Sequence, residues 1–274
     1  AAVPLRTVIE PRRGWRFLNL REIWHHRELL YFLTWRDVKV RYKQTVLGIL
    51  WAVIQPFTHM VIFSVIFGRL VGMESEGHPY PIFLFAGLLP WQFFAGSLQR
   101  SANSVVKGAN LIKRVYFPRL IIPLASVGSG LIDFAISFLI LIGLMFYYRV
   151  VPTPATLMVL PLVLGTVFTA LSVGTLISAL NVAYRDFRYV IPFLTKTWMF
   201  LTPVIYAVKI VPESWRWVLF LNPMCGLVEG YRSAILGRAF DWPRLAISFA
   251  VAVGGFVAGM VYFRRIERQF ADIV

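Results

Sequence analysis

The sequence predicts an all-α integral membrane protein, and three observations carry that prediction. Hydrophobic side chains make up 58% of the 274 residues and charged ones only 15%, a balance unlike that of a soluble domain. Mean hydropathy is +0.68. Six stretches of about 20 or more mostly apolar residues, the length a spanning helix needs, follow one another along the chain. The 28 Lys and Arg against 13 Asp and Glu give +15, and on so apolar a chain that excess points to flanks facing anionic lipid or an acidic partner rather than nucleic acid.

Residues 1–43 read as a basic cytoplasmic arm. Within 15–35, Phe17, Leu20, Trp24 and Tyr31 share a helical face and Arg21, His25 and Glu28 lie off it, the pattern of an amphipathic N-terminal interfacial helix, although Arg27 intrudes on the apolar side. Residues 44–265 read as one six-span domain, with spans at 44–68, 80–106, 120–148, 155–184, 189–208 and 245–263. The second span holds Arg100, the third Asp133 and the fifth Lys196. Pro152 and Pro154 set the start of the fourth, and Pro192 falls in the first turns of the fifth, where a missing amide donor costs little.

Two connections stand out. Residues 107–119 are short, basic and closed by Phe117-Pro118, suited to a brief helix presented to the cytoplasm. Residues 212–237 are apolar and aromatic but broken at Asn222-Pro223. Each half is about 15–21 Å long as a helix, too short to cross. The expectation is a re-entrant outer helical hairpin between spans five and six, anchored by Trp215 and Trp217, with an exposed loop as the alternative. Residues 266–274 form a cytoplasmic tail.

Orientation follows from the positive charges, because Lys and Arg resist translocation. With the N-terminus inside, twenty Lys and Arg lie on the cytoplasmic side and seven outside, so both termini are expected in the cytoplasm.

The chemistry that is missing narrows the function. No G-x-x-x-x-G-K-[ST] loop occurs in the sequence, so nucleotide hydrolysis would need another chain. His25 and His26 are adjacent rather than four apart, no H-E-x-x-H occurs, and Cys225 is the only cysteine. No metal, catalytic or cofactor site is expected in this chain. The opening residues 1–4 lack a secretory signal pattern. Gly128-Ser129-Gly130 with His59 superficially suggests an intramembrane hydrolase, but small residues at such positions more often let helices approach closely.

Asp133 is the one carboxylate within a span, and a buried carboxylate needs a partner to stay ionised. At ~1.5 Å per residue it lies about 21 Å in from Arg119, and His59 lies about 22 Å in from Gln44. An Asp133 to His59 hydrogen bond is therefore expected, against a neutral Asp133 or one bonded to nearby Ser, Thr or backbone. Arg100, only about 9 Å in, is too far by the same count. A lone carboxylate is thin support for an ion-coupled carrier.

Several segments together resemble a known family. Residues Leu29 to Gly48, including Trp35-Arg36-Asp37 and Arg41-Tyr42-Lys43, run into Trp51 and Gln55-Pro56. Gly87-Leu88-Leu89-Pro90-Trp91, the 111–118 connection, Tyr184-Arg185-Asp186, and Leu221-Asn222-Pro223 with Glu229 and Tyr231-Arg232 follow in order. Across residues 15 to 265 the chain is similar to the permeases of bacterial polysaccharide ABC exporters, the transporters of lipopolysaccharide O-antigen, capsule and teichoic acid.

That resemblance implies a homodimer of six-span subunits docked on two ABC ATPase subunits, which hold the ATP and Mg. The substrate implied is a polysaccharide on a polyprenyl-diphosphate or related lipid, exported across the bacterial inner membrane between the permeases. Residues 107–119 would seat the coupling helix in the ATPase through Lys107, Lys113, Arg114, Phe117 and Arg119. The arm would lie on membrane lipid beside a lateral opening. Aromatic residues make up 16% of the chain, and aromatic faces can stack on sugar while letting it slide; Trp51, Phe57, Trp198, Phe200 and Tyr206 are candidates for the channel lining. Arg12, Arg13, Arg16 and Arg21 are candidates for the lipid diphosphate, since guanidinium offers paired donors to phosphate oxygens.

Overall fold

The computed structural model describes residues 20–43, 47–184 and 186–267. Among them the regular structure is entirely helical. Helices α1 (Leu20–His25) and α2 (Arg27–Lys43) form the arm. Gly48, at φ +47°, turns the chain into the first long element. A left-handed residue there favours glycine, which has no Cβ to clash. A 3-10 turn, α3 (Trp51–Phe63) and a π-helical segment (Ser64–Leu70) follow without interruption.

Helix α4 (Tyr80–Lys107) is the centre of the molecule. Ile82, Phe83, Leu84, Phe85 and Ala86 are successive and fully buried, as expected of a helix apolar on every side. It packs against α6 (Ile121–Tyr147), α7 (Val159–Ala183) and α10 (Pro223–Leu236), and α3 and α8 (Phe187–Leu201) flank it more loosely. Between α4 and α6 the short α5 (Ala109–Arg114) lies in the basic connection. Helix α11 (Trp242–Ile266) closes against α7. Small residues make these contacts tight: a Cβ on Gly174 would come within 2.8 Å of the Ser101 Cβ, and one on Gly259 within 2.8 Å of the Thr175 hydroxyl. Where lipid offers no hydrophobic drive between helices, such close approach supplies the packing.

Five helical stretches are long and apolar enough to cross a membrane: Gly48–Leu70, Tyr80–Lys107, Ile121–Tyr147, Pro154–Ala183 and Trp242–Ile266. The expected fifth span, 189–208, differs. Helix α8 ends at Leu201, and Thr202 is extended (φ −106°, ψ 136°). Thr202 precedes Pro203, whose ring disfavours a helical residue before it. The Thr202 hydroxyl donates back to Trp198 O at 2.9 Å and accepts from Asn222 Nδ2 at 2.9 Å, so the unwinding is held in place.

The segment after the break folds as two helices, α9 (Glu213–Phe220) and α10. They part at Asn222, whose side chain accepts from Met224 N at 3.1 Å as the N-cap of α10, with Pro223 in the first turn. The break expected at Asn222-Pro223 is present and the segment is helical on both sides of it, but the halves differ: nearly every side chain of α10 is buried, whereas α9 leaves Trp215 and Trp217 exposed.

Candidate functional site

Four regions carry the polar and aromatic residues singled out by sequence. The first is the half-buried carboxylate of Asp133 on α6. It accepts from Arg41 and from the Tyr42 hydroxyl, both at the end of α2, and lies 3.4 Å from Arg100 Nη1 on α4. The expected bond to His59 is absent. His59 is exposed and lies 3.3 Å from Gln92 Nε2 instead. The helix-height count fails because it compares spans only, whereas the arm folds back onto α6 and delivers two donors from outside the spans. The same count sets Arg100 aside, yet a side chain leaning along its helix covers that gap, and Gly130 leaves the room: a Cβ there would collide with the guanidinium. Burial, helped by the neighbouring Asp133, pushes the Tyr42 hydroxyl up to about 12, so at neutral pH it is a donor.

Ser129 lies between these glycines, but its hydroxyl donates to Ser126 O at 2.9 Å. Gly128 faces Thr34 of the arm, whose hydroxyl would sit 3.3 Å from an added Cβ. The Gly128-Ser129-Gly130 stretch therefore provides close helix contact, not a nucleophile with a base.

The second region surrounds Arg232, which is fully buried in α10. Its guanidinium donates to Val204 O at 2.7 Å, Tyr206 O at 3.2 Å and Phe83 O at 3.4 Å, and pairs with Glu229 Oε1 at 2.7 Å. It also stacks over the Phe83 ring at 3.8 Å. Tyr80 donates to Ile205 O at 2.8 Å. Three carbonyls of the unwound 204–206 segment are thus satisfied by two side chains, which is how non-helical backbone survives away from water. Gly87 makes the space, since an added Cβ would lie 3.0 Å from the guanidinium and 3.1 Å from Val204 O. Gly87, Glu229 and Arg232, which the sequence offers only as pieces of a resemblance, form one contact.

The third region is the 107–119 connection. Lys107, Lys113 and Arg114 are exposed, as are Val115 and Tyr116. Phe117 is buried beside Leu33 of the arm and Ile121 and Ile122 of α6. Arg119 donates through its backbone to Glu267 Oε1 at 3.4 Å and through its guanidinium to Glu267 O. The connection therefore presents a basic surface while being pinned to α2 on one side and to the end of α11 on the other. Sequence reasoning assigns Phe117 and Arg119 to the same surface as the lysines and misses Glu267, which has no spacing that would single it out.

The fourth region is made up of the exposed faces of α3 and α8, two helices that each pack on α4. Trp51, Phe57 and Phe200 are exposed. Trp198 instead packs edge-on against Phe94 of α4, with ring centroids 5.1 Å apart, and Tyr206 lies in the unwound segment with its hydroxyl 3.3 Å from Phe200 O. The five aromatic residues do not form one wall within the subunit. What the structure adds is a stripe: Tyr189, Phe193, Lys196 and Phe200, spaced by four, three and four residues on α8, are all exposed, and so are Gln55, Thr58 and His59 on α3. Of the basic residues suited to a diphosphate, Arg21 is exposed on α1, and Arg12, Arg13 and Arg16 lie outside the described residues. Among the described residues no cluster of three or more His, Cys, Asp or Glu could hold a metal ion.

Comparison with known proteins places these features. The ABC-2 type transporter family matches residues 28–236. The O-antigen export system permease protein RfbA of Klebsiella pneumoniae is 29% identical over 248 residues, 90% of this chain and 95% of the relative. Its namesake in Myxococcus xanthus is 31% identical over 258 residues, 93% of this chain and 98% of the relative. The polysialic acid transport protein KpsM of Escherichia coli is 25% identical over 211 residues, 73% and 78% respectively. The matched span runs from the arm that holds Asp133 to the end of the helix that carries Arg232, so both buried charge centres and the basic connection fall inside it, and the chain belongs to the ABC-2 type transporter family.

Proposed function

We propose that this chain is the membrane-spanning permease of an ATP-driven exporter of lipid-linked polysaccharide, of the O-antigen kind that its relatives' names describe. In this reading two copies dock on two ATPase subunits, which hold the ATP and Mg. The complex sits in the bacterial inner membrane with both termini in the cytoplasm.

The observation that carries the reading is that α3 and α8, which both pack on α4, each leave an exposed face that carries polar residues. Lys196 is exposed with Tyr189, Phe193 and Phe200 on α8, and Gln55, Thr58 and His59 are exposed with Phe57 on α3; a charged residue facing hydrocarbon costs roughly 2.5–3.5 kcal/mol. Such a face belongs against a second copy or a watered passage rather than lipid. Aromatic residues beside polar ones suit a sliding sugar chain. In this scheme α8 and the unwound stretch after it make the fifth crossing of six, and α9 with α10 dips into the outer side as a re-entrant hairpin. The exposed Trp24, Tyr31, Phe32 and Trp35 of the arm rest at the cytoplasmic lipid surface. In this reading Arg12, Arg13, Arg16 and Arg21 bind the diphosphate of a lipid carrier, since guanidinium offers paired donors to phosphate oxygens.

Co-expression of the chain with its ATPase partner in a strain lacking its own O-antigen permease tests the proposal. The expected outcome is a stable complex and surface polysaccharide that depends on ATPase activity. Surface polysaccharide that persists with a hydrolysis-dead ATPase but collapses with the proton gradient would overturn it in favour of an ion-coupled carrier.

A further inference from the structure

At the end of the molecule opposite residues 107–119 lies a cavity of about 200 Å³. Its wall comes from the loop before α4, the 208–216 turn, α10 and the start of α11. Neither the buried charge centres nor the exposed faces of α3 and α8 account for it.

The lining is unusually charged. Glu229 is engaged by Arg232 at 2.7 Å and Arg216 lies 3.4 Å from Glu213. That leaves Lys209, Arg238 and Arg244 facing Glu76 and Asp241, one cation in excess. Glu76 takes Arg238 as an ion pair, with Lys209 at 3.7 Å, and Asp241 pairs with Arg244 at 2.8 Å. Arg238 Nη1 and Glu76 Oε2 are nevertheless both buried with no hydrogen-bond partner among the described residues, and an unmet buried donor calls for an acceptor as an unmet buried acceptor calls for a donor. Phe220 and Phe240 add apolar wall, and Trp242 lies 5.1 Å from the Phe240 ring.

We infer that this cavity binds a single carboxylated sugar unit, a uronate. The inference rests on the reading of the chain as a polysaccharide exporter. One excess cation balances one carboxylate, and the open Arg238 Nη1 offers it a charge-assisted donor. The lining carboxylates accept hydroxyl hydrogens, and the phenyl faces cover the apolar side of the ring. A phosphate dianion brings two negative charges against one excess cation, and a neutral hexose leaves that cation unmatched. The volume is below that of a drug-sized pocket and suits one residue of a glycan rather than a chain.

The test uses the intact permease in lipid nanodiscs, titrated with D-glucuronate and followed by tryptophan fluorescence, with D-glucose and inorganic phosphate as competitors. Saturable quenching is expected, weakened about tenfold in Arg244→Gln, with little competition from glucose. Lys209→Gln, at a well-exposed position, serves as a second variant, and an unchanged melting temperature shows that each is folded. Glucose binding as tightly as glucuronate, phosphate displacing it fully at equal concentration, or wild-type binding in both variants overturns the inference. If glucuronate does not bind while lipid-linked polysaccharide is still exported, this inference alone falls and the exporter reading stands.

Discussion

Arg232 shows what one side chain does when the backbone beside it unwinds. Its five donors in a rigid fork reach three carbonyls and a carboxylate, a geometry that an ammonium cannot reproduce. Arg232→Gln leaves Glu229 without its partner and carbonyls of residues 204 and 206 unmet, so a loss of about 3–5 kcal/mol is expected. It should appear as a marked fall in melting temperature in detergent, with Arg232→Lys recovering only part; unchanged melting of Arg232→Gln would contradict the network. Asp133 acts between elements instead, holding the arm and α4 to α6. In Asp133→Asn, Arg41 and Arg100 face one another without a counter-charge, and the arm should loosen. Trypsin cleavage after Lys39, Arg41 or Lys43 is expected to accelerate several-fold while the spans stay intact. A cleavage rate equal to wild type would show that packing of Leu33, not the charge, holds the arm.

The 107–119 connection is held between two elements, which makes its surface and its anchors separable. Charge reversal at Lys113 and Arg114 leaves Phe117 buried and Arg119 on Glu267, so the subunit should fold while ATP hydrolysis and export become uncoupled. Normal export by that double variant would remove the connection from the ATPase contact. The anchor itself should respond to pH. Burial holds the Glu267 carboxyl above its ordinary range, with Arg264 and Arg119 opposing the shift. A raised value in the fold favours the protonated form, so its contribution is fully present below the ordinary carboxylate range and is lost as pH rises through the elevated value. Relative to Glu267→Gln, wild type should lose melting temperature across that window; parallel curves would count against a buried, perturbed carboxyl. On the other side of the molecule, Cys225 is fully buried beside Val208 and Phe220. The native chain should resist a membrane-impermeant maleimide until it is unfolded, whereas labelling at the rate of a free peptide would mean that the α9–α10 pair opens.

At the scale of the whole subunit, α4 is wrapped on most sides and α3 and α8 are left with open flanks. If those flanks line a passage between two copies, cysteines introduced at Lys196 and Phe200 should react with water-soluble reagents in the assembled exporter. A cysteine at Leu139 on α6, equally exposed in the single subunit, should face lipid and stay unreactive. Equal reactivity at all three positions would remove the distinction on which the proposed channel rests.

Much of this architecture is legible in the amino-acid order. Spans with few charges announce themselves because hydrocarbon tolerates only apolar helices, and α4, α6, α7 and α11 fall within a few residues of their expected limits. The break at Asn222-Pro223 is readable because proline and an N-capping side chain act locally. The basic connection is readable by composition alone. Partnership is not. Counting along the spans puts Asp133 beside His59, and only the fold brings Arg41 and Tyr42 back from the arm to claim it. The fifth span looks continuous through Val208 because hydropathy does not register the extended conformation imposed on Thr202 by Pro203, nor the Arg232 that repairs it from 28 residues away. Which segments leave water is written in the chain itself, since that depends on each segment's own composition. Which charges meet is settled only by the packing, since a charge in a nonpolar interior goes to whichever donor the fold brings within about 3 Å.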